Sequence, residues 1–381
     1  MPSCCASASR PSAARRPAPD VANIYQVAEL ARVSVATVSR IINNSAKVTE
    51  QTRQRVVAAM AELEFRPNSI AQALATNRTN CVGVLVSELY GPFFGTMLSA
   101  LEQELRAAGK FVIVTAGHSD AAREKIGIQF LAGRNCDALI VHVEALPDQY
   151  LIDHDRNPAP LVIMNRVVPA LADRCLSLDN RQGGYLATRL LIGKGHRNIA
   201  YISGPLGWLD ASQRLAGHKR ALAEAGIKFV EQLMVEGDYH DTGGAMALTQ
   251  LLDTGLPFTG VVCANDEMAA GALAVARERG IAVPADLSIV GFDNSPLSRH
   301  VFPKLATVHY PIGDMGRMAA RWVLRNVYGV ESITVQQTFE PGLMERESVS
   351  APGSPTPRAT ARTRVQRKSP RRKVSRRRSR A

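Results

Sequence analysis

The stretch Val27–Ser45, VAELARVSVATVSRIINNS, contains two short helical patterns with almost nothing between them. In the first pattern, Ile24, Val27, Ala28 and Ala31 follow the spacing i, i+3, i+4, i+7, which places them on one face of a helix. Isolated helices of fewer than about 12–15 residues are marginal in water, so neither helix is expected to be stable alone. The stretch therefore predicts a pair of helices that folds against further structure.

The segment Arg32–Ser34 separates the two patterns, and Ser34 is a good N-cap for the second helix. In that helix Val38, Ile41 and Ile42 face inward. The outer face is small, neutral and hydrogen-bonding, with one long cation, and comprises Val35, Ala36, Thr37, Ser39, Arg40 and Asn43. A face of this kind fits against base edges in a DNA major groove.

A third helix is predicted from Thr49 to Glu64, and Pro67 is expected to end it. Three short helices around a small core form the helix-turn-helix arrangement. A helical hairpin without a DNA role is the alternative. The next segment, RPNSIAQALATN at 66–77, is helix-compatible but poor in large apolar residues. It is expected to be a linker or a helix that becomes ordered only on DNA.

The net charge of +12 is concentrated at one end of the 381-residue chain. Residues 351–381 contain twelve Arg or Lys and no acid; without them the 34 remaining bases balance the 34 acids. The overall charge is therefore weak evidence for DNA binding, and the prediction of DNA binding rests on the helix-turn-helix motif. The tail should be disordered, because it has too few apolar residues to form a core. It is either a dispensable extension or an electrostatic arm.

Several features indicate a cytoplasmic protein without a membrane segment. No apolar run reaches the roughly 18 residues of a membrane helix. Residues 1–22 lack the apolar core of a secretory signal and are expected to be a disordered extension, with a transit peptide as the alternative. The six cysteines form no CxxC pair, which favours buried thiols in a reducing compartment. Neither a metal nor a cofactor is predicted.

From residue 81 onward, short apolar runs alternate with helical patterns. The runs CVGVLVS, KFVIVTA, DALIVHV and PLVIMNR are followed by a second series, NIAYISG, FTGVVCA and LSIVGF. Helices between them are expected to end at Gly109, Gly226 and Gly280. Buried parallel strands that alternate with helices predict two successive doubly wound α/β lobes.

Ligands in such folds bind outside the carboxyl ends of the strands, and a cleft between two lobes collects many such ends. Ser87, Asn165, Asn265 and Asp293 all follow predicted strands, and Arg214 opens a later helix. Planar amides, carboxylates and a guanidinium can direct hydrogen bonds to sugar hydroxyls. For Asn265 a helix cap is an equally good interpretation.

The segments IYQVAELARVSVATVSRIINNS and TEQTRQRVVAAMAELEFRPNSIAQAL resemble the head and hinge of the LacI/GalR repressor family, and the resemblance extends to about residue 350. It implies that the hinges of two subunits fold together in the minor groove, where Leu74 would be the wedge residue. Arg32 departs from the family pattern, which often has glycine in this turn. The positions that match DNA contacts are Tyr25, Ser34, Val35, Ala36, Thr37, Ser39, Arg40, Asn43, Asn68, Ala71 and Leu74.

GPFFGTM, VIMNRVVP and SRHVFPKLATVHYPI are most similar to the galactose-repressor branch of that family. The resemblance implies a bacterial, nucleoid-associated homodimer on a near-palindromic operator. Its effector would be D-galactose or a close aldose. The matching effector positions are Ser87, Phe93, Phe94, Asn165, Arg214, Tyr239, Asn265, Asp293 and Tyr310.

The expected architecture is an N-terminal helix-turn-helix head and a two-lobed, periplasmic-binding-protein-like body. The predicted boundaries are 1–22 for the extension, 23–66 for the head, 67–79 for the hinge and linker, 80–345 for the body and 351–381 for the basic tail. The rival functions are a regulator with a corepressor and a sugar-binding protein without a DNA role. An enzyme is not expected, because GxxxxGK[ST], GxSxG and HExxH motifs are absent from the sequence.

Overall fold

The computed structural model of the protein describes residues 22–43, 48–67, 73, 76–154 and 157–353. The proposed hinge contacts Asn68, Ala71 and Leu74 lie outside the described residues, as do the basic tail and nearly all of the N-terminal extension. Within the described ranges, no helix combines the length and the hydropathy that crossing a membrane would require.

The head consists of three helices, as the sequence predicts. They are α1 (Ile24–Leu30), α2 (Val35–Ile42) and α3 (Glu50–Glu62). Each begins at a polar N-cap, and these caps are Asn23, Ser34 and Thr49. Their shared core contains Val27, Ala28, Ala31, Val38, Ile41, Val56 and Ala59. Because this core is so small, the three helices depend on one another for stability.

The turn after α1 is closed by a residue in the left-handed region. Arg32 has φ of 52°, and the N–H of Val33 donates to the carbonyl of Ala28 at 3.0 Å. The same closure follows α3, where Glu64 has φ of 49°. The prediction that Pro67 ends the third helix is therefore wrong, because the helix ends at Glu62 through its own backbone hydrogen bonds.

The first half of the body begins with β1 (Cys81–Val86), α4 (Pro92–Ala107), β2 (Phe111–Ala116), α5 (Ala121–Gly133) and β3 (Ala138–His142). It continues with α6 (Asp148–His154), β4 (Leu161–Met164), a 3-10 turn (Pro169–Arg174) and β5 (Cys175–Leu178). The β1–β2, β1–β3, β3–β4 and β4–β5 pairs are all parallel. Among the core residues, Leu85, Leu131, Leu139 and Ile163 are fully buried.

The second half contains α7 (Asn180–Gly193), β6 (Ile199–Ser203), α8 (Leu209–Glu224), a 3-10 turn (Glu231–Leu233), β7 (Met234–Glu236), α9 (Asp241–Asp253) and β8 (Gly260–Cys263). It continues with α10 (Asp266–Glu278), β9 (Ser288–Asp293), α11 (Leu297–His300) and β10 (Ala306–His309). The last elements are α12 (Ile312–Asn326), β11 (Thr338–Phe339) and β12 (Gly342–Met344). The two sheets have the orders β11-β5-β4-β3-β1-β2 and β12-β10-β9-β8-β6-β7.

The seven predicted strands are confirmed, and Gly109, Gly226 and Gly280 follow their helices with positive φ, as expected. The expectation of two successive lobes needs correction. Unit 1 comprises residues 1–177 and 313–337, and unit 2 comprises 178–312 and 338–381, so the chain crosses between them three times. The strands that the sequence analysis does not predict are β5, β7, β10, β11 and β12, which have two to four residues each.

Candidate functional site

The outer face of α2 presents the residues predicted to read DNA. The Ser34 hydroxyl accepts the N–H of Thr37 at 3.1 Å and lies 2.9 Å from the Thr37 hydroxyl. At the other end, the Asn43 amide donates to the Ser39 hydroxyl at 3.3 Å. Arg40 is exposed and forms no hydrogen bond or ion pair with the described residues. Arg40 is thus a long hydrogen-bond donor on this face that no described residue of the head engages.

Two further residues of this surface differ in exposure. Tyr25, on α1, is 71% exposed, as a backbone-contacting residue would need to be. Val35 is half-buried against the core of the head, although the sequence pattern placed it outside. Val35 is the first residue of α2, and its side chain packs against the core of the head. Ala36 remains exposed beside it.

In unit 1, the carboxyl ends of β1 and β3 bring together a hydroxyl, an imidazole and two aromatic rings. Ser87 Oγ lies 3.4 Å from His142 Nδ1. Phe93 and Phe94, at the start of α4, meet edge to face with centroids 5.2 Å apart. The Phe94 centroid is also 5.2 Å from that of His142. Phe93, Phe94 and Ser87 are among the predicted site residues, whereas His142 is not.

His142 has a second neighbour, since its Nδ1 is 3.6 Å from Glu144 Oε1 and both side chains are less than 8% exposed. His142 is the last residue of β3, so a search for polar residues at the carboxyl ends of the strands could have identified it from the sequence. Asn165 lies just past β4 with φ of 63°, and its N–H donates to the carbonyl of Leu176 at 2.8 Å. The left-handed backbone of Asn165 marks the sharp turn that ends this strand.

In unit 2, Arg214 is the centre of the predicted set. Its guanidinium is 3% exposed and donates to Asn180 Oδ1 at 2.9 Å and to the carbonyl of Ala264 at 2.6 Å. It lies 3.4 Å from Asp210 and 3.9 Å above the ring of Phe292. Arg214 is in the second turn of α8 and does not open the helix. The sequence could have revealed Asp210, since oppositely charged residues at i, i+4 face each other on a helix.

Two aromatic residues and an amide lie around this ion pair. The Tyr239 hydroxyl donates to Asp210 Oδ2 at 2.9 Å, and the Tyr239 ring stacks on Trp208 with centroids 5.6 Å apart. Asn265 caps α10, accepting the N–H of Met268 at 2.9 Å and donating to the Tyr239 carbonyl at 2.7 Å. The interpretation of Asn265 as a cap is therefore confirmed, which leaves its amide only part of its bonding capacity.

Asp293 ends β9 in a strained left-handed conformation, with φ of 111°. Its carboxyl group is 8% exposed and forms no hydrogen bond within the described residues. Burial raises the pKa of Asp293 well above its usual range, and the Arg214 charge opposes that shift. Tyr310, also predicted, packs edge-on against Phe292 at 6.3 Å. Asp293 is thus a buried acceptor whose ionised form hydroxyl donors would stabilise.

The two helices that carry these groups cross at very short distance. A Cβ at Gly184 of α7 would overlap the carbonyl oxygen of Arg214, and a Cβ at Gly217 of α8 would overlap that of Arg181. The crossing brings Asn180, the first residue of α7, within hydrogen-bonding reach of Arg214. Among the described residues, no group of three or more His, Cys, Asp or Glu side chains is arranged to hold a metal ion.

Comparison with known proteins gives matches for both parts of the chain. Residues 23–68 match the model of bacterial regulatory proteins of the lacI family, and residues 188–349 match a periplasmic binding protein-like domain. The transcriptional regulator GalR of Escherichia coli (strain K12) is 42% identical over 332 residues, which cover 87% of this chain and 97% of GalR.

Two further relatives widen the comparison. The transcriptional repressor PurR of Proteus mirabilis (strain HI4320) is 36% identical over 87% of this chain and 97% of PurR. The crystal structure of a lac repressor dimer bound to operator and the anti-inducer ONPF superposes with a TM-score of 0.77 and 29% identity, covering 87% of this chain and all of that one.

Proposed function

The chain belongs to the lacI family of bacterial regulatory proteins and is a DNA-binding transcriptional repressor, and from this premise we propose that D-galactose or a closely related aldose lowers its affinity for a near-palindromic operator. The main observation is that the Asp293 carboxyl group is buried near the Arg214 charge and has no hydrogen bond among the residues that the structure describes. The galactose assignment is further supported by the 42% identity to GalR.

The proposal assigns the sugar hydroxyls to the polar groups of unit 2. An ionised carboxylate accepts several hydroxyl bonds, and Arg214, fixed by Asn180 and Asp210, is a rigid donor. In unit 1, Phe93 and Phe94 offer apolar rings next to Ser87 and His142. We include the remaining predicted positions in the proposed effector site, because each lies at the end of a strand or beside the Arg214–Asp210 ion pair. These positions are Asn165, Tyr239, Asn265 and Tyr310.

The effector can release DNA only through a difference in affinity for two states. An inducer must bind the state with weak operator affinity more tightly, and such coupling is typically about 1–3 kcal/mol per site. The rival is a corepressor, and the 36% identity to PurR supports it. Operator binding measured with D-galactose and, separately, with purine bases distinguishes the two, because an inducer weakens binding and a corepressor strengthens it.

Asp293→Asn tests the site, because it removes the charge and half of the acceptor capacity at nearly constant volume. We expect operator binding without sugar to be unchanged and release by galactose to need a much higher concentration. Each unsatisfied hydroxyl in a buried site costs about 1–3 kcal/mol. Asp253→Asn, a change in a largely exposed side chain of α9, is the matched control. A variant released at the wild-type galactose concentration would remove Asp293 from the proposed site.

We also propose a homodimer, supported by exposed apolar side chains on unit 1. The strand β2 is the last strand of its sheet, and Phe111 on it is 61% exposed. On α5, Ile126 is 63% exposed. Such edges are available for pairing with another chain. Sedimentation of Phe111→Glu and Ile126→Glu should show monomers. Met246→Glu, on α9 at a position that is 64% exposed, should stay dimeric. Dimers of all three variants would refute this surface.

A further inference from the structure

The residues that connect the predicted hinge to β1, Arg78–Asn80, are held by one carboxylate. Asp137, just before β3, accepts the N–H of Thr79 at 2.9 Å with one oxygen and that of Asn80 at 2.8 Å with the other. The Thr79 hydroxyl lies 3.1 Å from the same carboxylate. Asp137 thus fixes two consecutive peptide groups and, with them, the direction in which the chain enters unit 1.

The carboxylate is itself held by Tyr328, whose hydroxyl donates to Asp137 Oδ2 at 2.7 Å. Lys110 extends this arrangement, because its Nζ donates to Asn80 Oδ1 at 2.6 Å and lies 3.9 Å from the centroid of the Tyr328 ring. Burial and the bond to Asp137 raise the pKa of Tyr328 above its usual range. The phenol therefore remains a hydrogen-bond donor at neutral pH.

Arg78, the first residue of the linker Arg78–Asn80, also contacts the segment 327–328 after α12. The Arg78 guanidinium donates to the carbonyl of Val327 at 2.8 Å, and its Cζ lies 5.6 Å from the centroid of Tyr328. Cations above an aromatic face are attracted by its quadrupole. Arg78 and Asn80 are therefore both fixed to the segment 327–328, directly or through Lys110.

Tyr328 follows α12, which has fifteen residues and a length of about 22 Å. The helix begins at Ile312, where the chain passes from unit 2 into unit 1, and it ends two residues before Tyr328. One rigid element therefore runs from a crossing between the units to the contacts of the linker.

We propose that Asp137 and Tyr328, together called the linker clamp, are positioning residues for operator recognition. The clamp orients the linker so that the hinge can pair on the operator, and α12 connects it to the state of the units. The inference rests on the proposed function, since a hinge that responds to an effector needs such a connection. The clamp would act through its contacts with the linker residues Thr79 and Asn80 and not by binding DNA or sugar itself.

Tyr328→Phe and Asp137→Asn test the clamp in the full-length protein. The DNA probes are a near-palindromic duplex that the wild-type protein selects from a random pool, and a scrambled duplex. We expect the Kd for the selected duplex to rise roughly tenfold, as for loss of one charge-assisted hydrogen bond, while the Kd values for scrambled DNA and D-galactose stay constant. The amide hydrogens of Thr79 and Asn80 should exchange faster in both variants.

Tyr185→Phe is the matched control, because its hydroxyl donates to Glu224 at the same distance of 2.7 Å in unit 2. It should leave all of these values unchanged. A Kd for the selected duplex within twofold of wild type, or an equal loss on both duplexes, would overturn the clamp. If Asp137→Asn does not fold, Tyr328→Phe decides alone, since it keeps the ring. If D-galactose does not change operator binding by the wild-type protein, only the proposed effector is refuted. The comparison of the two duplexes is made without sugar and still tests the clamp.

Discussion

At the scale of single residues, Arg40 carries the clearest prediction about DNA reading. It is exposed on α2 and unpaired among the described residues, while Ser34, Thr37, Ser39 and Asn43 are bonded to one another at the helix ends. A free guanidinium in the major groove suits the O6 and N7 acceptors of guanine. Arg40→Ala should therefore cost about 1–3 kcal/mol at a single base-pair position in each half-site.

Binding measured against a set of singly substituted operators checks this assignment. A variant that has lost a phosphate contact would instead lose affinity evenly across all of these operators, because phosphates carry no sequence information. An even loss for Arg40→Ala would identify Arg40 as a phosphate contact and contradict the base-reading role.

The backbone conformation of Arg32 leads to a prediction about the stability of the head. Its φ of 52° lies in the left-handed region, which costs a residue with a Cβ about 1–2 kcal/mol relative to a relaxed conformation. Arg32→Gly should therefore stabilise the head by roughly 1 kcal/mol. Hydrogen exchange of the α1 amides would measure the gain. Ala61→Gly, at an exposed helical position of α3, should instead destabilise the head by roughly 0.5–1 kcal/mol. Equal effects of the two changes would mean that the turn is unstrained.

At the scale of elements, the crossing of α7 and α8 positions the buried guanidinium of Arg214. Gly217 and Gly184 let the two backbones touch, so Asn180 can hold the Arg214 guanidinium. Gly217→Ala would force the helices apart. We expect weaker galactose binding and a loss of roughly 1–3 kcal/mol of stability, as is typical of overpacking.

Calorimetric titration with D-galactose and urea unfolding would measure both effects of Gly217→Ala. Gly193→Ala is the control, since a Cβ there meets nothing within 4 Å. Gly193 is the last residue of α7, the other helix of the crossing, so its substitution should not weaken binding. An unchanged affinity of Gly217→Ala for D-galactose would show that the crossing of α7 and α8 is not needed for sugar binding.

At the scale of the whole molecule, the basic tail should act without sequence preference. Deletion of residues 354–381 should change binding to operator and to scrambled DNA together and leave sugar affinity unchanged. Each lost phosphate contact reduces the magnitude of the log-affinity against log-salt slope by up to about 0.9. A version with every tail arginine changed to lysine keeps the charge and should keep the slope. Unaltered slopes on deletion would identify an inert extension, and a loss confined to operator would contradict the composition argument.

The sequence by itself determined the head and the seven main strands. Helical periodicity, the N-cap at Ser34 and the apolar runs from Cys81 to Phe292 are local signals, each contained within a few residues of chain. Their physical causes are backbone capping and the burial of apolar side chains, and both leave a pattern within a few residues of the chain. For that reason the head and the α/β class could be predicted, and so could Ser87, Asn165 and Asp293 as residues at strand ends.

Tertiary structure decided what depends on contacts between distant segments. The short strands β5, β10 and β12 exist because neighbouring strands supply their hydrogen-bond partners, and the return of residues 313–337 to unit 1 has no local signal. His142 acquires its place from Ser87, 55 residues earlier, and Tyr328 acquires its place from Asp137, 191 residues earlier. A hydrogen bond between residues so far apart in the chain depends on how the elements pack, and packing is a property of the folded whole.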